Sequence, residues 1–137
     1  MRRLLFLPLG ITLLYICLML AASEFGGEVA ILMRPEQDGS VSTVRVWIVD
    51  ADNKSWVEHG DSSSFWISQL NNPSEISLIR RGEEKRYIGV SDANAHDLYH
   101  QLRREKYGIA DWIVEIGSFG SAAKDACNGV VVEFTQK

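Results

Sequence analysis

Residues 41–76 read VSTVRVWIVD-ADNK-SWVEHG-DSSS-FWISQLNNPSEI. The opening stretch alternates. Val44, Val46 and Ile48 fall on one face, and Thr43, Arg45, Trp47 and Val49 on the other, the period-two mark of a strand over 42–50. ADNK is made of turn residues, so the chain is expected to reverse in a hairpin into a second strand over 55–60. DSSS is a polar loop that ends in residues favoured as helix N-caps. After it, Trp66, Ile67 and Leu70 stand at helical spacing, and Asn72-Pro73 stops the helix.

Working outward, EVAILMR at 28–34 is a strand candidate closed by Pro35, and EQDG is a turn with Gly39 free to take a positive φ. Downstream, 74–80 and 84–90 are strands joined at Arg81-Gly82-Glu83. Asp92 caps a helix that runs to about Tyr107, with Ala95, Leu98, Tyr99 and Leu102 on its expected buried face and Gly108 as its C-cap. A second helical piece covers 109–116, a loop of small residues 118–129, and a last strand 130–135. Six short strands, mostly hairpin-connected, with two or three helices imply a mainly β with α (α+β) domain: a six-stranded antiparallel barrel with outer helices.

The chain divides into an N-terminal segment, 1–23, and one domain, 24–137. Arg2 and Arg3 precede nineteen uncharged residues, 4–22, close to the roughly 20 needed to span a bilayer as a helix. The reading is a single-pass anchor through residues 4–22, the paired arginines keeping the N-terminus cytoplasmic and the domain periplasmic or extracytoplasmic. Ala21 and Ser23 also suit a signal peptidase. Cleavage after Ser23 would release a secreted or periplasmic domain. Arg2 and Arg3 are the segment's only charges, so 24–137 holds the other 12 of 14 basic and all 18 acidic residues, a net charge of −6. That acidity excludes nucleic acid as a partner, because its backbone calls for a basic footprint. Cys17 lies in the apolar segment and Cys127 in the small-residue loop, so no disulfide framework or zinc spacing is visible.

Across residues 44–76 the order RVWIVD, turn, strand ending in HG, polar loop, then Trp66, Leu70, Asn72, Pro73 and Ile76 resembles the pyridoxamine-phosphate-oxidase-like split β-barrels. It is most similar to their membrane-anchored and deazaflavin-dependent nitroreductase-like branches. RYIGV at 86–90 resembles a late barrel strand of that family, and Lys106-Tyr107-Gly108 the end of its outer helix. The resemblance implies a homodimer holding FMN or a deazaflavin at the subunit interface. It assigns cofactor binding to Arg45, Trp47, His59, Gly60, Ser62, Ser63, Ser64 and Trp66, and the mouth of a small-molecule substrate pocket to Lys106 and Tyr107. The physics of the residues agrees in part: serine hydroxyls at a helix start and an arginine suit a phosphate, and tryptophan suits a flat ring.

DSSSFWISQ carries no basic residue and begins with Asp61, which repels a phosphate. Two functions therefore stand. One is a membrane-anchored flavin or deazaflavin oxidoreductase whose redox chemistry belongs to the cofactor, with no catalytic side chain needed. The other is a cofactor-free split-barrel binding or structural module at the membrane. His96 and His100 have the four-residue spacing of helix-borne metal ligands, but Asp-Leu-Tyr between them lacks a metalloprotease glutamate. The expectation is a solvated helix face and no metal site.

Overall fold

The computed structural model describes residues 2–137, with side chains from residue 8 onward. Helix α1 (Arg2–Phe25) is followed by strands β1 (Val29–Pro35), β2 (Val41–Trp47), β3 (Val49–Ala51) and β4 (Lys54–Glu58). A short helix α2 (Phe65–Ser68) continues as a 3-10 turn over Gln69–Asn71. Strands β5 (Ser74–Arg80) and β6 (Glu83–Ser91) lead to α3 (His96–Tyr107), α4 (Ile109–Gly117) and β7 (Val131–Gln136).

All pairings are antiparallel, in the order β2-β1-β5-β6-β7-β4-β3. The two edge strands, β2 and β3, are consecutive in sequence and separated only by Ile48. One chain segment thus leaves one edge of the sheet and joins the other, which curls the sheet into a half-barrel. Tight turns hold the hairpins: Asp52 and Asn53 take φ of 48° and 63°, and Arg81 and Gly82 take 52° and 83°, the left-handed pair that matches strand twist.

The sheet has seven strands where the alternation of 42–50 predicts six. The extra boundary lies at Ile48, and it has a local cause. The Ile48 N–H donates to the Tyr107 hydroxyl at 2.9 Å, and the Ile48 carbonyl accepts from Lys106 Nζ at 2.6 Å. Side chains of α3 take both backbone groups that a ladder would use, so the strand breaks there.

Two cores result. Inside the curl, Leu32, Val46, Ile48, Val57, Leu78 and Phe134 pack with Trp66, Ile67 and Leu70, so α2 plugs the barrel. Outside it, Val49, Trp56 and Val131 pack under Tyr99, Tyr107 and Ala110 of α3 and α4. The buried face of α3 differs from the expected one. Leu98 points to solvent, whereas His100 and Arg103 turn inward with Tyr99 and Tyr107. The buried Asp111 of α4 accounts for the rotation, because Arg103 Nε meets its carboxylate at 2.6 Å and Arg104 Nε at 2.8 Å.

Candidate functional site

The residues expected to hold a cofactor are spread over β2, the end of β4, the loop before α2 and α2 itself. Arg45 is half-exposed and ion-paired to Glu24, its Nε 2.6 Å from the carboxylate. Trp47 stacks flat on Tyr107, ring centroids 4.3 Å apart and 8° from parallel, and its indole N–H donates to the Ser23 carbonyl at 2.8 Å. His59 Nε2 sits 2.9 Å from Arg34 Nη1. Burial and then the Arg34 charge hold His59 below its ordinary pKa, so it is neutral near pH 7 and gives no cation to oppose Asp61. Gly60 turns at φ 80°, where a Cβ would stand 2.9 Å from both Ser64 Oγ and Trp66 Nε1.

The serine loop is occupied by its own acid. Ser63 N–H and Oγ–H donate to Asp61 at 2.8 and 2.6 Å, and Ser64 Oγ accepts the Asp61 N–H at 3.1 Å instead of capping α2. Ser62 is exposed, and Trp66 is only 3% exposed in the inner core, so its ring face is not offered to a ligand. What remains beside Arg45, Trp47, His59 and Glu58 is an open pocket of about 250 Å³. That is below the roughly 300–1,000 Å³ usual for cofactor sites.

Lys106 and Tyr107 lie at the seam. Tyr107 accepts the Ile48 N–H and donates to the Glu28 carbonyl at 2.6 Å. Burial pushes its hydroxyl up to about 12. Lys106 Nζ reaches Glu28 at 2.8 Å and Asp50 at 3.1 Å, and Arg80 bridges the same two carboxylates at 2.8–2.9 Å. Burial alone would raise Glu28 and Asp50, but Arg80 and Lys106 hold both well below the usual carboxylate range.

A second cluster shares Glu58 with the pocket beside Arg45. Glu58 closes β4, His96 opens α3, His100 follows one turn later, and Cys127 comes from the loop before β7. One ligand atom from each lies within 4.8 Å of all the others. Glu58 Oε1 is 3.3 Å from Nε2 of both His96 and His100. His100 is buried and His96 largely so, which corrects the expected solvated face. None of Glu58 Oε1, His96 Nε2 and His100 Nε2 makes a hydrogen bond, although all three are shielded from solvent. Each such orphan costs about 1–3 kcal/mol. Arg103 Nη1 approaches the other Glu58 oxygen at 3.7 Å, and Gly129 N–H donates to Cys127 Sγ at 3.4 Å. Burial would raise Glu58, but His100, Cys127 and Arg103 hold it low, while burial and Glu58 push the Cys127 thiol up. The one sequence signal for this cluster is the His96–His100 spacing; Glu58 and Cys127 join it through the fold.

No protein-family model and no curated protein matches the chain. Among solved structures, it is similar to HutZ, the heme storage protein of Vibrio cholerae, with a TM-score of 0.51 at 10% identity over 80% of this chain and 81% of that one. HupZ of Group A Streptococcus aligns with a TM-score of 0.45 at 7% identity over 82% and 87% of the two chains. An F420 reductase aligns with a TM-score of 0.45 at 12% identity over 80% and 86%. The first likeness shows a shared fold and no more: a curled antiparallel half-barrel sheet with outer helices.

Proposed function

We propose that the chain is a split-barrel binding module anchored in a membrane by α1, with the barrel on the extracytoplasmic side. The observation that carries this reading is the long, outward-facing apolar helix α1, with α4 packed against it. Helix α1 has 24 residues, about 36 Å at 1.5 Å per residue, enough for a hydrocarbon core of about 30 Å. Only 6% of its Pro8–Phe25 stretch is buried, so its leucines face outward. Helix α4 lies against α1, with the Tyr15 hydroxyl donating to the Gly117 carbonyl at 2.6 Å. Ala22 and Gly26 of the anchor end pack against Ala110. Away from that contact Ile109, Trp112, Ile116 and Phe119 are exposed, Phe119 by 94%. Bulky apolar side chains with a tryptophan, beside a bilayer-length helix, suit the lipid interface.

Retention of the anchor fits better than cleavage after Ser23. That bond lies inside α1, whose last turn is fastened to the barrel through Ser23–Trp47 and Glu24–Arg45. The test is to express the full chain, extract membranes with alkaline carbonate and sequence the N-terminus. Full-length protein in the carbonate-resistant fraction supports the reading. A soluble chain beginning at Glu24 overturns it.

A second reading keeps FMN or a deazaflavin between two copies of the chain and makes the protein an oxidoreductase. The open pocket beside Arg45 favours it, since a homodimer partner would enlarge that space. Against it stand the ion-paired Arg45, Ser63 and Ser64 held by Asp61, and the buried Trp66. The purified full chain titrated with FMN and with a deazaflavin decides: a bound chromophore lost in Arg45→Ala supports the oxidoreductase, and no binding leaves the cofactor-free module.

A further inference from the structure

We infer that Glu58, His96, His100 and Cys127 form a binding site for one divalent transition metal ion of the zinc class, built into the outer side of the barrel. The inference stands on the cluster alone and does not rest on the membrane reading.

The geometry points at a shared centre. Tetrahedral coordination with bonds of about 2.0–2.1 Å to nitrogen and oxygen sets those ligand atoms about 3.3–3.4 Å apart. The two imidazole nitrogens each stand 3.3 Å from the Glu58 oxygen. None of the three atoms has a well-aligned hydrogen-bond partner. Three shielded polar atoms therefore face one another unsatisfied. A cation accepting a lone pair from each, and from the Cys127 sulfur, satisfies all of them together.

The surroundings are those of a metal shell. Arg103 approaches the Glu58 oxygen that is turned away from the histidines, leaving the other to the centre, and Asp111 neutralises Arg103. The Gly129 N–H points at the cysteine sulfur, a contact that steadies a thiolate. Gly129 itself is needed for fit, since a Cβ there would stand 2.5 Å from Glu58 Cγ.

The donor set selects the ion. Two imidazoles, a thiolate and a carboxylate suit zinc and its first-row neighbours, whereas calcium and magnesium require a shell of oxygens. The carboxylate and thiolate balance a 2+ ion. Four protein ligands leave no open position, which marks a structural or cargo site and not a hydrolytic one. The ion would tie together the end of β4, the first two turns of α3 and the 118–129 loop.

The test uses the full chain in detergent, stripped with chelator and titrated with Co(II), then Zn(II). The expected result is one Co(II) per chain, with tetrahedral d–d absorption and a thiolate-to-cobalt charge-transfer band, both abolished by Zn(II). Cys127→Ser should keep the d–d bands, lose the charge-transfer band and bind more weakly. His100→Ala should bind weaker still, by more than the roughly 10- to 100-fold that loss of an outer-shell partner costs. Circular dichroism identifies any variant that fails to fold, and Cys127→Ser, altered in a loop, keeps the test decisive in that event. No cobalt spectrum from the folded wild-type chain, or a charge-transfer band that survives Cys127→Ser, overturns the site.

Discussion

The seam at Ile48 and the cluster at Glu58 are both polar, both partly buried and both built where α3 meets the sheet, yet they are finished differently. At the seam, Tyr107, Lys106 and Arg80 answer the Ile48 backbone, Glu28 and Asp50 with complete hydrogen bonds. At the cluster, Glu58 Oε1, His96 Nε2 and His100 Nε2 crowd together without a well-aligned hydrogen bond. A satisfied polar site holds a fold together, while an unsatisfied buried one calls for an explanation, and at the cluster the converging ligand types supply it. Most of the predicted cofactor residues belong to the first kind, since Arg45, Trp47, His59, Ser63 and Ser64 already have partners within the chain.

The largest effect is expected at the seam. Tyr107→Phe removes the partner of the Ile48 N–H and of the Glu28 carbonyl. It should cost about 2–4 kcal/mol in denaturant unfolding of the full chain in detergent. A loss below 1 kcal/mol would mean that the seam does not close the barrel. Arg80→Met should follow at about 2–3 kcal/mol, less than the roughly 3–5 of a wholly buried pair because the site is partly wet. It also predicts a pH dependence. Glu28 and Asp50 have folded pKa values below their ordinary ones, so their contribution is complete above the ordinary carboxylate range. As pH falls through that range the unfolded chain takes up protons first, and stability is lost. Thermal melts from pH 7 to pH 3 should show this acid limb in the wild type and a shallower one in Arg80→Met.

The sequence shows the sheet far better than it shows the sites. Strand alternation, the Asp52-Asn53 and Arg81-Gly82 turns, the Asn72-Pro73 stop and the Gly108 cap are local signals, and the elements appear where those signals place them. The break at Ile48 is not local, because the hydroxyl that causes it belongs to Tyr107 in another element. The inward turn of His100 depends likewise on Asp111, a carboxylate of the next helix that recruits Arg103. A four-residue histidine spacing is visible in the sequence, but its meaning depends on what the fold brings opposite. Here that is Glu58 from a strand end and Cys127 from a distant loop. Whether a polar group is satisfied is a property of three dimensions, which is why the candidate site was legible only as a pair of histidines.

The smallest effects separate the two kinds of site most cleanly. His96→Ala in the metal-free chain relieves an unsatisfied nitrogen, a gain of about 1–3 kcal/mol, and loses the packing of a largely buried ring, a cost of similar size, so the net change should stay within about 1 kcal/mol. With Zn(II) present at 100 times its dissociation constant the wild type should gain about 2.7 kcal/mol, and His96→Ala much less. Arg45→Ala should cost still less, about 0.3 kcal/mol, because its pair with Glu24 is surface-exposed and screened. Its use is as a discriminator. If the seam side is finished, FMN should raise the melting temperature of neither the wild type nor Arg45→Ala. If FMN stabilises the wild type and not the variant, the Glu24 pair is only a placeholder for a phosphate. The contrast between a closed side and a waiting side would then fail on the side where the residues look most complete.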